Sequence, residues 1–351
     1  MPRYAKTRKE LFSRISRRLE TNAALLERTG KPSLKQLKVF WIEANPNYSP
    51  SPFPSSGWEE TERRFYVLPD PDEAKHIWLD ATDERVWRAY TFGPREDIEA
   101  ILKRKLLHRR GLDRVWLAEA FMERLRREHG YQDRGFRFYF RDTLSTAKNP
   151  SERPKFSAKF WLGEEIPAKQ GRFLELAQEA FSKSSLRMGR ESRDPSSRVS
   201  GLLLEVYAEG CMTVTTSDDP EEVLGLANEV GQRYREELGE METQRLRSPR
   251  PIELNFGMTI NLERFQNLIE SGQGQTGLWM QRYEVEDGMH RYTGADLHTN
   301  ELINLDVGPD YAYLVTQRKG CMNAAPRLMV VSAQRISGKT GLYYEGAPLF
   351  A

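Results

Sequence analysis

Residues 287–310 hold two of the chain's five histidines, His290 and His298, together with Asp287, Asp296, Glu301, Asp306 and Asp310. Carboxylates and imidazoles in one place can hold Mg²⁺, Mn²⁺ or Zn²⁺ and activate a bound water. In an extended strand Asp296 and His298 share a face, and Asp306, closing the run ELINLD, could join them. That chemistry would suit a metal-dependent nuclease or other phosphohydrolase. Its candidate catalytic residues are Asp296, His298, Glu301, Asp306 and Asp310, its metal set is His290, Asp296 and His298, and Mg²⁺ is a suitable ion. The spacing matches no established ligand signature, and solvated loop carboxylates are the commoner case.

Cys321 sits in RKGCMN, where Arg318 and Lys319 would favour a thiolate and His290 or His298 could act as base. A buried packing cysteine is the plainer expectation for it and for Cys211. The two cysteines form neither a disulfide framework nor a zinc pattern. Residues 333–340, AQRISGKT, satisfy the loose phosphate-loop pattern behind LMVVS, read as a strand. The mechanism needs a helix next, but Gly341, Tyr343, Tyr344, Gly346 and Pro348 follow, so a hairpin turn is expected.

Charge gives the stronger signal. Residues 1–38 carry eleven Lys and Arg against three Glu, a net of +8 in a chain whose total is only +2. A basic arm on an acidic body points to a polyanion as partner. Arg14, Arg17 and Arg18 lie beside the apolar face of the first helix. A second run, Lys103, Arg104, Lys105, His108, Arg109, Arg110 and Arg114, lies at a helix end, where the dipole alone favours cations. Phe138, Tyr139, Phe160 and Trp161 are interleaved with Arg and Lys on strands and could stack single-stranded bases, although strand aromatics are more often core.

The elements that must position these groups follow from periodicity. Leu11, Ile15 and Leu19 predict a helix over 7–28, ended by Gly30 and Pro32. Ser33, Leu34, Leu37, Phe40 and Trp41 predict a second helix. Residues 45–57 hold four prolines and read as a linker. Strands are predicted at 63–69, 136–140 and 155–162, a helix near 115–128, another over 170–182, and a polar loop over 183–199. Two segments share one order of elements, hairpin then acidic turn then helix: 76–106 and 201–242. The turns are Thr82-Asp83-Glu84 and Glu209-Gly210, and Asp218 or Asp219 caps the second helix. After a linker at 244–251 come a strand, a helix over 261–270, and the strands ELINLDV, YAYLVTQ, RLMVVSA and GLYYEG.

In LEVYAEGCMTVTTSDDPEEVLGLANEVGQRYREELG, Tyr207, Gly210, Met212 and Thr215 stand where the TATA-binding-protein family has an aromatic strand end, a turn glycine and Met-Val-x-Thr. The segment, residues 203–239, resembles half a repeat of that family and implies a curved antiparallel sheet with helices on one side. Thr216 and Asp218 depart from the family's glycine and lysine, and an acidic turn there repels phosphate. Fold analogy carries no function by itself.

The expected fold is therefore α+β. A basic helical arm (1–44) and a Pro-rich linker (45–57) precede an α+β body with two hairpin–helix units (58–248) and a β-rich C-terminal domain (249–351). The leading functional expectation is a non-enzymatic nucleic-acid-binding protein, without cofactor, contacting phosphates through Arg14, Arg17, Arg18, Lys103, Arg104, Lys105, Arg109 and Arg110. The metal-dependent hydrolase above is one alternative; a scaffold subunit with a protein partner, or a homo-oligomer, is another. No apolar run reaches the roughly 18 residues of a membrane span. The N-terminus lacks the apolar core of a secretory signal, so a cytoplasmic setting is expected.

Overall fold

The computed structural model describes residues 4–45, 47, 57–141, 155–161, 181–194, 200–271, 276–286, 288–317 and 320–350. Most of the linker expected over 45–57 and of the helix expected over 170–182 lies outside these residues, as do Asp287, Arg318 and Lys319. The described residues are mixed α and β with antiparallel sheets. The chain divides into two compact units. The first comprises Met1–Val115, Arg126–Asp133 and Arg187–Glu236; the second comprises Trp116–Leu125, Arg134–Leu186 and Glu237–Ala351.

The first unit opens with α1 (Arg8–Thr29) and β1 (Leu37–Ala44). The second helix expected around 33–41 is this strand. All eight residues of β1 are buried, so it shows no in-out alternation, and its apolar spacing imitates a helix face. Its aromatic and β-branched run, VFWI, suits a strand covered on both sides. There follow β2 (Glu59–Glu62), β3 (Phe65–Leu68), β4 (Ile77–Asp80), β5 (Val86–Thr91), α2 (Arg95–Lys105) and β6 (Leu112–Arg114). Later the chain adds β10 (Leu202–Tyr207), β11 (Cys211–Ser217) and α4 (Pro220–Arg247), of which this unit holds residues up to Glu236.

Strand order here is β2-β3-β4-β5-β1-β11-β10, with β6 also on β1. The two hairpin–helix segments thus share one sheet and flank β1, which runs antiparallel to both β5 and β11. Their turns form as the sequence dictates. Asp83 Oδ1 accepts the backbone N–H groups of Arg85 and Val86. Gly210 has φ +69°, and a Cβ there would lie 2.3 Å from the Val115 carbonyl oxygen, so only glycine fits. Asp219, not Asp218, caps α4, accepting from Glu221 N and Glu222 N. Asp218 instead pairs with Arg190.

Helices lie on both faces of this sheet rather than on one. Ile98, Leu102 and Leu106 of α2 and its end pack with Phe40, Ile42, Ile77 and Leu79. On the opposite face, Trp41 Nε1 donates to the Ala227 carbonyl of α4 at 2.7 Å, and α1 lays arginines over Trp78 and Phe92. The saddle with one uncovered face that the TATA-binding-protein resemblance implied is absent from this unit's described residues; the hairpin followed by a long helix is what stands.

The second unit includes most of α3 (Glu119–Glu128) and of β7 (Gln132–Arg141), which pairs with β8 (Lys155–Trp161). It also holds the first half of β9 (Lys183–Arg190), where a polar loop was expected. The strand is masked in sequence by polar residues that are satisfied inside: Lys183 reaches Glu123 at 2.5 Å and Glu119 at 3.3 Å. The linker expected at 244–251 is shorter, because α4 continues to Arg247.

A seven-stranded antiparallel sheet completes this unit: β12 (Ile252–Asn255), β13 (Leu278–Glu286), β14 (Met289–Asp296), β15 (Glu301–Val307), β16 (Tyr311–Thr316), β17 (Gly341–Tyr344) and β18 (Ala347–Leu349). Its order is β13-β14-β15-β16-β12-β17-β18. The inner face, with Leu278, Tyr292, Ile303, Leu305 and Leu314, carries α5 (Leu262–Ser271) and α6 (Ala324–Arg335). Residues expected as the strand RLMVVSA belong to α6. Ala324 to Ser332 are all buried, and a fully buried helix has no polar face to betray its period. Pro326 is accommodated in its first turn.

Candidate polyanion groove

α1 is fixed at both ends. Thr7 Oγ1 accepts from Glu10 N, and Glu10 Oε2 accepts from Lys6 N at 2.7 Å, a reciprocal cap of the Thr-x-x-Glu kind. Gly30, at φ 65°, returns its N–H to the Leu26 carbonyl. Leu11, Ile15 and Leu19 are fully buried. Arg14, Arg17 and Arg18, spaced i, i+3, i+4, therefore fall together beside this seam.

Part of the basic surplus is spent on the protein itself. Arg8 pairs with Glu62 at 2.9 Å and Asp80 at 3.1 Å and lies over the Phe65 ring. Arg14 pairs with Glu73 and sits 5.4 Å from the Trp78 ring centre. Arg18 stacks 5.5 Å from Phe92. Tyr4 bonds Glu59, and the Trp78 indole donates to the Ala5 carbonyl at 3.1 Å. Between these contacts runs an open groove of about 760 Å³, lined by Tyr4, Lys6, Glu10, Arg14, Arg17, Arg18, Thr21 and Glu73. Lys6 and Arg17 are exposed, and neither makes an ion pair among the described residues. Below lies buried His76, whose Nδ1 accepts from Asp70 N; burial and then the Arg14 charge hold its pKa below the ordinary imidazole range.

The second basic run lies on the other side of the sheet, since α2 packs on the opposite face from α1. Lys103 and Arg104 are exposed and Lys105 is half-buried. Arg109 and Arg110 are already engaged. Arg114 lies 3.6 Å from Glu209 and 3.8 Å from Glu99, which Arg95 also bridges. The two runs therefore do not merge on one face.

Sequence reasoning missed Lys6, Tyr4 and Glu73 as groove residues; the first two precede the helix, and Glu73 comes from a short 3-10 turn (Glu73–Lys75) far along the chain. It also missed Lys38, buried in β1, whose pKa is lowered by burial. The charged partner of a strand gives no signal in an apolar pattern. On the neighbouring strand, where Cys211 faces Phe40, burial pushes the Cys211 thiol up to about 12, so this cysteine is packing, as expected from its position.

The 287–310 cluster splits between the two ends of a hairpin. Asp296 faces Glu301 in register, with His298 in the connection, but Asp306 faces Arg291 and His290 faces Val307. Five or six residues of strand separate these ends, roughly 17–20 Å at 3.4 Å per residue. His290, Asp296 and His298 are thus not brought together as a metal set, nor do Asp306 and Asp310 join Asp296. Asp296 is buried and accepts from Arg327 at 2.5 Å and from His298 N, the role of a structural counter-ion. Glu301 accepts from Cys321 N at 2.9 Å. Asp310 accepts from Thr259. His290 lines a separate groove with Glu263, Gln266 and Arg282.

The phosphate-loop look-alike is the end of α6 and the turn after it, and Gly338 is packed against the backbone of Phe181 and Ser182. Phe138 is buried among Phe136, Phe160 and Phe181, so it is core rather than a stacking platform. The side chains of Tyr139 and Trp161 lie outside the described residues.

Among the described residues no helix is long and apolar enough to cross a membrane. No curated protein and no solved structure matches the chain. A family model does match, over residues 1–336, and the chain belongs to the MJECL33-like protein family.

Proposed function

We propose that the protein binds nucleic acid, without catalysis, through the groove along α1. The observation that carries this is the pairing of exposed Lys6 and Arg17 with Arg14 and Arg18 in one groove, where the acids Glu10 and Glu73 are outnumbered. Arg14 and Arg18 lie over indole and phenyl rings, 5.4 and 5.5 Å from the ring centres, and guanidinium groups suit phosphate oxygens. Lys103, Arg104 and Lys105 make a second contact on the other face, and Arg109 and Arg110 support it only by releasing their present partners. The TATA-binding-protein resemblance supplies no groove of its own. The free thiols Cys211 and Cys321, both buried, suit a cytoplasmic setting.

Deleting the first 57 residues would remove β1 from the middle of its sheet, so charge removal in the full chain is the sound test. Labelled duplex DNA, single-stranded DNA and RNA should be titrated at salt from about 50 to about 200 mM, comparing the wild type with R17A/R18A. Affinity should fall steeply with salt, and the double variant should flatten the slope by roughly two units. Identical affinity and slope in both proteins would end the proposal. The ranking of the three probes names the nucleic acid.

A further inference from the structure

The side chains of the seven-stranded sheet that point away from α5 and α6 are half-buried or exposed. Leu302, 63% exposed, and Trp279, 51% exposed, stand at one end of this face, separated by the half-buried Ala295 in cross-strand register. Exposed apolar groups so placed mark a contact surface.

One row of side chains crosses six of the sheet's seven strands. Register aligns Glu284 with Arg291, Arg291 with Asp306, Asp306 with Tyr313, Tyr313 with Glu253, and Glu253 with Tyr343. Cross-strand neighbours of this kind hold their Cβ atoms about 4.5–5.5 Å apart. Glu284 and Arg291 satisfy each other at 2.8 Å. Asp306 and Glu253 have no ion-pair partner among the described residues, and they bracket the Tyr313 ring. A second ring, Tyr311, lies 4.8 Å from Tyr313.

We infer that this face binds a basic, arginine-bearing segment of a partner protein. Its guanidinium groups would lie on Tyr313 and Tyr343 and pair with Asp306 and Glu253, while apolar residues cover Trp279 and Leu302. A planar cation can stack on a phenol and meet a carboxylate edge-on at the same time. The complementarity of charge excludes the nucleic acid proposed for α1, because the two unpaired carboxylates repel phosphate. Tyr and Trp without Lys is also the composition of a protein-contacting surface.

The test uses the full chain and a fluorescein-labelled peptide of alternating arginine and glycine, followed by anisotropy. Expected is salt-sensitive binding that weakens about tenfold or more in D306N/E253Q and in Y313L, with unchanged circular dichroism. R17A/R18A should leave peptide binding intact, which separates this surface from the α1 groove. The inference falls if the peptide does not bind, if D306N/E253Q binds it as well as the wild type, or if R17A/R18A abolishes binding. It falls equally if Y313L loses oligonucleotide binding instead, or if the face is closed by self-association that Y313L disrupts in sedimentation.

Discussion

A sheet covered on both faces and a sheet open on one handle charge in different ways. In the first unit, every residue of β1 is buried, and the polar ones are answered internally: Glu43 meets Arg85 at 2.7 Å, and Lys38 Nζ donates to the Gln36 carbonyl. In the second, β15 buries Ile303, Leu305 and Val307 and turns Leu302, Asn304 and Asp306 outward. Covering a second face thus consumes cations and carboxylates as internal ties, as with Arg8 and Arg14. Leaving it open keeps acids and rings available to a partner. Basic character in the sequence is therefore an upper limit on basic surface.

The sharpest way to break this comparison is to remove a charge from an enclosed face. Asp296→Ala leaves the Arg327 guanidinium, 2% exposed, without its carboxylate, and should cost about 3–5 kcal/mol in chemical denaturation. A loss below about 1 kcal/mol would mean that the pair is not an enclosed tie. Next comes a matched pair of truncations. Ile42→Ala in β1 should cost about 2–5 kcal/mol, whereas Leu302→Ala on the open face should change stability by no more than about 0.5 kcal/mol. Equal losses would show that the outer face is covered in solution.

The smallest effect expected is one of pH. His76 has a folded pKa below its unfolded value, so the unfolded chain takes up the proton first. Stability is then complete above the unfolded value, near 6.5, and is lost as pH falls through it toward the folded value. Thermal midpoints measured from pH 7 down to pH 5 should decline, and H76Q should flatten part of that decline. A wild type and variant with parallel profiles would remove His76 from the list of enclosed ties.

Punctuation made the hairpin–helix segments legible. Pro94, Asp83, Gly210 and Asp219 each announce a local backbone requirement that the structure meets. Burial hid other elements. β1 is buried throughout and α6 from Ala324 to Ser332, so neither alternation nor a helical stripe appears there, and each sequence reads as the other kind of element. β9 was hidden the opposite way, its Lys183 looking solvated while Glu119 and Glu123 receive it. Of the candidate sites, the arginines of α1 were visible from spacing, but their partner Glu73 was not. The Asp and His cluster looked dense because a hairpin folds residues near in sequence to opposite ends. The row from Glu284 to Tyr343 is invisible in the sequence because its six members come from six different strands, joined across the sheet only by register.

The place of β1 between two hairpins has a consequence in time. Leu37 finds its neighbour in Val214, so during synthesis the strand holding Leu37 waits for one made well over a hundred residues later. At ordinary elongation speeds that delay is on the order of ten seconds or more. Throughout it, the run VFWI would have one flank empty on the ribosome, and α1, which also rests on β11, would lack half its bed. Nascent-chain handling, rather than the finished protein's stability, then becomes the stage at which this segment is most exposed to error.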